Sequence, residues 1–219
     1  MLLSWGVGQM LRKRFAEYSQ TPMPMTGAQV AEEMLRQNGI LDVEVISVPG
    51  QLTDHYNPMK RTVNLSESVY GVPSVAAAAV AAHECGHAVQ HARGYAWLKF
   101  RSALVPVVSI SSRMAQIVLM IGLFIAIGSQ NTTVLLIGIV LFSMAVLFSI
   151  VTLPVEFDAS KRALAWLSQS RLAGAVEQKQ AKNALFWAAM TYVAGALAAL
   201  GQLLYFVFIF LQLRGNSRQ

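Results

Sequence analysis

Two stretches without charge decide most of what this chain can become. Met114 to Val155 runs for 42 residues, and Asn183 to Leu213 for 31, without one Asp, Glu, Lys or Arg. About 20 apolar residues suffice to cross a bilayer. The first stretch is broken only by the polar run Ser129-Gln130-Asn131-Thr132-Thr133. It therefore reads, with the residues just before it, as two crossings joined by a tight tip, Leu104 to Gly128 and Val134 to Leu153. The second reads as a last long helix, Ala184 to Leu213. Only 13% of the chain is charged, against about 25% in a soluble domain, which excludes an ordinary water-soluble globule.

Ahead of these helices, from Phe15 to about Ala103, the composition turns polar and the local signals change. Thr26 with Gln29 makes a capping-box pattern, Val30, Met34 and Leu35 supply an apolar face, and Gly39 stands where that helix stops. Val43 to Val48 alternates as a half-buried strand, Pro49-Gly50 turns, and Thr62 to Leu65 is a second short strand. Gln51 to Arg61 reads as the loop between them. A second helix starts near Ser74 and runs through alanines to about Arg93, with Gly94 as its stop. Met1 to Leu11 is apolar but too short to span, and its basic cluster Arg12-Lys13-Arg14 follows it, the wrong order for a signal peptide. It reads as the end of a spanning helix or an interfacial anchor with Trp5 at the headgroups.

The expected organisation is a partial anchor (1–14), a small α+β portion (15–103), a transmembrane hairpin (104–154), an amphipathic helical segment (155–183) and a terminal transmembrane helix with its tail (184–219). The fold class is mainly α, a multi-pass helical membrane protein. Arg12, Lys13, Arg14, Arg93, Lys99, Arg101, Lys161, Arg162, Arg171, Lys179 and Lys182 all fall on one side of this layout, while the hairpin tip is uncharged. By the positive-inside rule the polar portion is cytoplasmic. Arg214 and Arg218 run against this if the last helix spans once, and Arg113 needs burial in protein or a path to the interface. The net charge of +6 comes with no lysine-rich run and no nucleic-acid motif, so a nucleic-acid partner is not expected. The single cysteine, Cys85, excludes an intramolecular disulfide.

Chemistry enters at His83-Glu84-Cys85-Gly86-His87, an HExxH pattern inside the second helix. With four histidines and eight glutamates in 219 residues, random placement gives roughly 0.003 such patterns, so chance does not explain it. Histidines at i and i+4 project from one helical face and can bind one zinc ion. Glu84, beside them, can take a proton from a water that the metal activates and return it to a leaving amine. A catalytic zinc takes a third protein ligand. His91 fits poorly, because a helix rises about 12 Å from His83 to His91. The candidates are Glu156, at the end of an apolar helix, and Asp158, Asp54 or His55.

Thr26-Gly27-Ala28, Leu52 to Tyr56, His83 to His87 with His91, Arg101 to Pro106 and Leu153 to Ser160 together resemble the bacterial membrane zinc metallopeptidases of the YugP type. The resemblance spans Thr26 to Leu213. It implies a zincin-like α+β portion, one zinc ion, a peptide or protein substrate, and residence in the bacterial inner membrane with the site at the cytoplasmic face. That family is similar, more distantly, to the HtpX type, whose third ligand is a glutamate on a later helix. By that resemblance Glu156 is the third ligand and the site is a gluzincin. Ser160 departs from it, standing where the distant relatives carry an aspartate, which leaves Asp158 or Asp54 as the group that orients the zinc-bound histidines. The chain departs again at its start, where the group has a full spanning helix.

Two weaker expectations accompany the motif. Thr62 to Leu65 takes substrate by strand addition, or is a plain core strand. His55 and Tyr56 donate to the oxyanion, or are turn residues. The reading from another functional class is a catalytically silent, zinc-stabilised membrane scaffold. A metal carrier is disfavoured because Met114 to Val155 holds no acid for a transport path.

Overall fold

The computed structural model describes residues 2–216. In chain order its elements are α1 (Leu2–Tyr18), α2 (Gly27–Gln37), β1 (Glu44–Val48), β2 (His55–Asn57), β3 (Thr62–Ser66), α3 (Glu67–Tyr70), α4 (Val75–Ala92), α5 (Ala96–Ser129), α6 (Thr133–Gln169) and α7 (Ala175–Asn216). The protein is mainly α-helical, and α5, α6 and α7 are each long and apolar enough to cross a membrane. It divides into two compact units. One comprises residues 2–99 and 154–191, the other 100–153 and 192–216.

In the first unit α4 is the centre. Its run of alanines leaves almost no side-chain bulk, so neighbouring elements approach on every side and the helix is buried around most of its circumference. Val30, Met34 and Leu35 of α2, Val63 and Leu65 of β3, Val69 of α3, and Trp166 and Leu167 of α6 close over it in one core. Local chemistry sets the helix ends. Thr26 accepts from Gln29 N while the Gln29 side chain accepts from Thr26 N, the reciprocal capping box. Ser74 caps α4 by accepting from Ala77 N at 3.2 Å. Gly94, at φ +64°, ends α4 with bonds from Gly94 N to His91 O and from Tyr95 N to Gln90 O, the paired pattern that a left-handed residue permits.

The sheet has the order β1-β3-β2. β1 runs parallel to β3, with Glu44 opposite Thr62, and β2 runs antiparallel to β3, with Tyr56 opposite Val63. β3 is central and buried along its whole length. Its buried Asn64 amide donates to His55 O, Thr62 O and Thr62 Oγ1.

The second unit is helical. Gly122 lies against the backbone of Leu135, and Gly138 against that of Leu119, so α5 and α6 meet through their main chains beside the turn. Leu119, Ala126, Leu135, Ile139, Phe206 and Phe210 form its core. Ile117, Phe124, Ile127, Ile137, Val140 and Phe208 point outward, an apolar exterior suited to lipid.

Four details differ from the sequence reading. The loop Gln51 to Arg61 contains a strand, β2. Three residues ending before Pro58 carry no alternation signal, and the strand exists because β3 offers it an edge. α5 begins at Ala96 rather than near Leu104, α6 continues through Pro154 to Gln169, and α7 begins at Ala175 rather than near Ala184. The reason is common to the three: apolar composition marks where a helix can meet lipid, and a helix can outrun that mark wherever protein packs against it. For Thr62 to Leu65 the sequence left two readings, and the pairing of β3 selects between them. Both of its edges are paired, so Thr62 to Leu65 is a core strand with no edge for a substrate.

Candidate metal centre

His83 and His87 lie one turn apart on α4, their rings edge to face with centroids 4.8 Å apart. α6 brings Glu156 to them. Its Oε2 is 3.3 Å from His83 Nε2 and 3.6 Å from His87 Nε2. One donor atom from each of the three residues falls within 4.8 Å of the others. Two imidazole nitrogens and one carboxylate oxygen are a donor set that zinc accepts while keeping a position open, so the residues fit the ion that the motif implies.

Backbone contact sets this convergence. A Cβ added to Gly86, between the two histidines, would stand 2.6 Å from Ala159 O, three residues beyond Glu156. α4 and α6 therefore touch with no side chain between them, and both histidines are drawn to Glu156.

The far side of each imidazole is also held. His83 Nδ1 lies 3.1 Å from Ser160 Oγ. His87 Nδ1 lies 3.0 Å from Gln90 Oε1. The fully buried Gln90 donates in turn to Val155 O and to Asp158 Oδ2, both at 2.8 Å. Asp158 also accepts from Arg162 Nε at 2.6 Å, and the guanidinium sits over the Tyr95 ring. Asp158 thus reaches His87 through Gln90. Asp54 has another partner: it accepts from Ser66 N and Ser66 Oγ, joining the start of β2 to the end of β3. The sequence reading missed Gln90 and left Ser160 as a departure without a role. The available signal for Gln90 was an amide in a small, apolar helix, one turn past His87 on the same face.

Glu84 is buried, and its Oε2 accepts from Tyr56 N at 3.0 Å. Tyr56 and His91 pair at 2.8 Å through the phenol oxygen and Nδ1, so His91 faces Tyr56. His55 is exposed, with Nδ1 2.8 Å from Thr53 O. Burial disfavours the charged form of His87, but the Glu156 hydrogen bond and the charges of Glu84 and Glu156 outweigh it, and the pKa is raised. Burial and the Glu84 charge push the Cys85 thiol well up, so Cys85 is no nucleophile.

No solved structure matches the chain. A relative from Bacillus subtilis (strain 168), "Putative membrane protease YugP", is 42% identical over 209 residues, covering 94% of this chain and 91% of that protein. The family described as "Putative neutral zinc metallopeptidase" matches residues 1–211. That correspondence takes in α4 and α6, which carry the candidate ligands, and nearly all of the three apolar helices, and the chain belongs to this zinc metallopeptidase family.

Proposed function

We propose that the protein is a membrane-embedded zinc-dependent endopeptidase that hydrolyses peptide bonds of membrane or membrane-proximal proteins. The observation that carries the reading is the meeting of His83, His87 and Glu156 within 4.8 Å in a chain of a zinc metallopeptidase family. These three residues hold the ion, the arrangement that defines a gluzincin. When bound, zinc supplies a Lewis acid that makes water a nucleophile near neutral pH. Glu84 accepts the proton of that water and delivers it to the leaving amine, and the Tyr56 N–H bond aims its carboxylate. Tyr56 is a better oxyanion donor than His55, because its phenol is drawn toward α4 by His91 while His55 faces solvent. β2 is the strand edge on which an extended substrate can lie, since β3 is paired on both sides.

The lysine and arginine bias puts the metal centre on the cytoplasmic side of the inner membrane. The organisation read from the sequence, an anchor, a zincin-like portion, a hairpin, a helical segment with the third ligand and a terminal helix, belongs to the same proposal.

Glu84→Gln tests the function. The amide is close in size to the carboxylate and removes no proposed ligand, so bound zinc should stay near the wild-type level. Peptidase turnover should fall by about 10²- to 10⁴-fold, roughly 2.7 to 5.4 kcal/mol of transition-state stabilisation. Zinc and turnover are measured on one preparation. Cleavage at the wild-type rate by zinc-loaded Glu84→Gln would overturn the mechanism. A zinc-loaded wild type that cleaves no peptide would favour a scaffold.

A further inference from the structure

We propose that Gln90 is a positioning residue of the metal centre, its single amide setting the orientation of His87 and holding the backbone that presents Glu156. The proposal rests on reading His83, His87 and Glu156 as the metal ligands.

The partners decide which way the amide points. Val155 O is a main-chain carbonyl and can only accept, and the Asp158 carboxylate already accepts from Arg162. Both stand 2.8 Å from Gln90 Nε2, and an amide NH₂ has two protons to give. The amino end is thereby committed to α6, and Oε1 is left facing His87 Nδ1 at 3.0 Å. Because Oε1 can only accept, Nδ1 must carry a proton. In the neutral ring Nε2 then presents its lone pair, on the side where Glu156 Oε2 lies. Gln90 thus dictates the tautomer that makes His87 a ligand.

The same amide reaches the second ligand-bearing helix. Val155 immediately precedes Glu156, so the bond to Val155 O ties α6 to α4 at the residue before the carboxylate. Gln90 is fully buried, and water cannot take over its bonds. His83 is held differently. Its Nδ1 faces the Ser160 hydroxyl, which rotates and can either donate or accept, so Ser160 supports either tautomer where Gln90 allows one. The two histidines are therefore held unequally.

The test uses full-length protein in detergent, with zinc affinity read by chelator competition and geometry read by the visible spectrum of the cobalt-substituted form. Gln90→Met keeps the side-chain length and removes every hydrogen bond. It should weaken zinc by about 10- to 100-fold and change the cobalt spectrum, while circular dichroism shows a folded chain. Ser160→Ala should weaken zinc by less than Gln90→Met. A folded Gln90→Met with zinc affinity within twofold of wild type and an unaltered cobalt spectrum would overturn the role of Gln90 and leave the ligands standing. So would a Ser160→Ala loss equal to that of Gln90→Met. If Gln90→Met does not fold, Gln90→Asn decides by the same criteria, since its amide is one methylene too short to serve both helices. Wild type that binds no zinc would overturn the ligand reading itself.

Discussion

Adding one methyl group at Gly86 should loosen the metal centre without touching a ligand. In Gly86→Ala the new Cβ would stand 2.6 Å from Ala159 O and 3.1 Å from Ala159 C and Cα. These are backbone atoms of a helix and cannot swing aside as a side-chain tip would. Ordinary contact begins at about 3.4 Å, so α4 and α6 must part by about 0.8 Å. Functional constellations tolerate about 0.5 Å, and metal–ligand distances about 0.2 Å. Alanine gains about 0.5–1 kcal/mol over glycine inside a helix, but overpacking costs about 1–3 kcal/mol, so the steric loss prevails. Zinc affinity should fall by about 10- to 100-fold, roughly 1.4 to 2.7 kcal/mol, because the displacement separates His83 and His87 from Glu156. Gly8→Ala is the control, since its added Cβ meets nothing within 4 Å and its zinc affinity should match wild type. Chelator competition on the three purified proteins gives the answer. Wild-type affinity in Gly86→Ala would show that backbone contact does not set the ligand spacing.

Glu156→Ala should weaken zinc by at least about 100-fold and His91→Ala by no more than about threefold, because Glu156 Oε2 faces both imidazoles while His91 is turned to Tyr56. Metal analysis of the two variants checks this, and the reverse order would remove Glu156 from the ligand set. Gln130→Cys in a Cys85→Ala background should react with a membrane-impermeant thiol reagent in intact cells, as the lysine and arginine bias requires. Reaction only after permeabilisation would invert the topology.

Much of the helical framework was legible because its signals are local. The Thr26 and Gln29 box, the Ser74 cap, and the stops at Gly39 and Gly94 are decided by residues within a turn of one another. The uncharged stretches announced the apolar helices, and the i, i+4 spacing of His83 and His87 placed both imidazoles on one face of α4. What stayed hidden depends on partners far away in the chain. β2 has no pattern of its own and is defined by β3. The continuation of α6 beyond Pro154 needs the packing of Val155, Ala159 and Ala163 against protein. Glu156 could be named from a resemblance, but its approach to α4 depends on Gly86 lying against Ala159. Gln90 was invisible for the same reason, since two of its three side-chain hydrogen bonds are made to α6.

The three candidate ligands come from two helices with the whole of α5 and the apolar half of α6 between them in the chain. A ribosome therefore releases the histidine pair well before the carboxylate that completes the set. Two histidines on one helix hold zinc weakly, and the third donor becomes available only after the chain has turned at the hairpin tip and started back. The order of synthesis therefore puts the residues of the hairpin tip ahead of the third candidate ligand. On the proposed reading, a chain stalled during insertion would carry the HExxH helix without the carboxylate that completes its donor set.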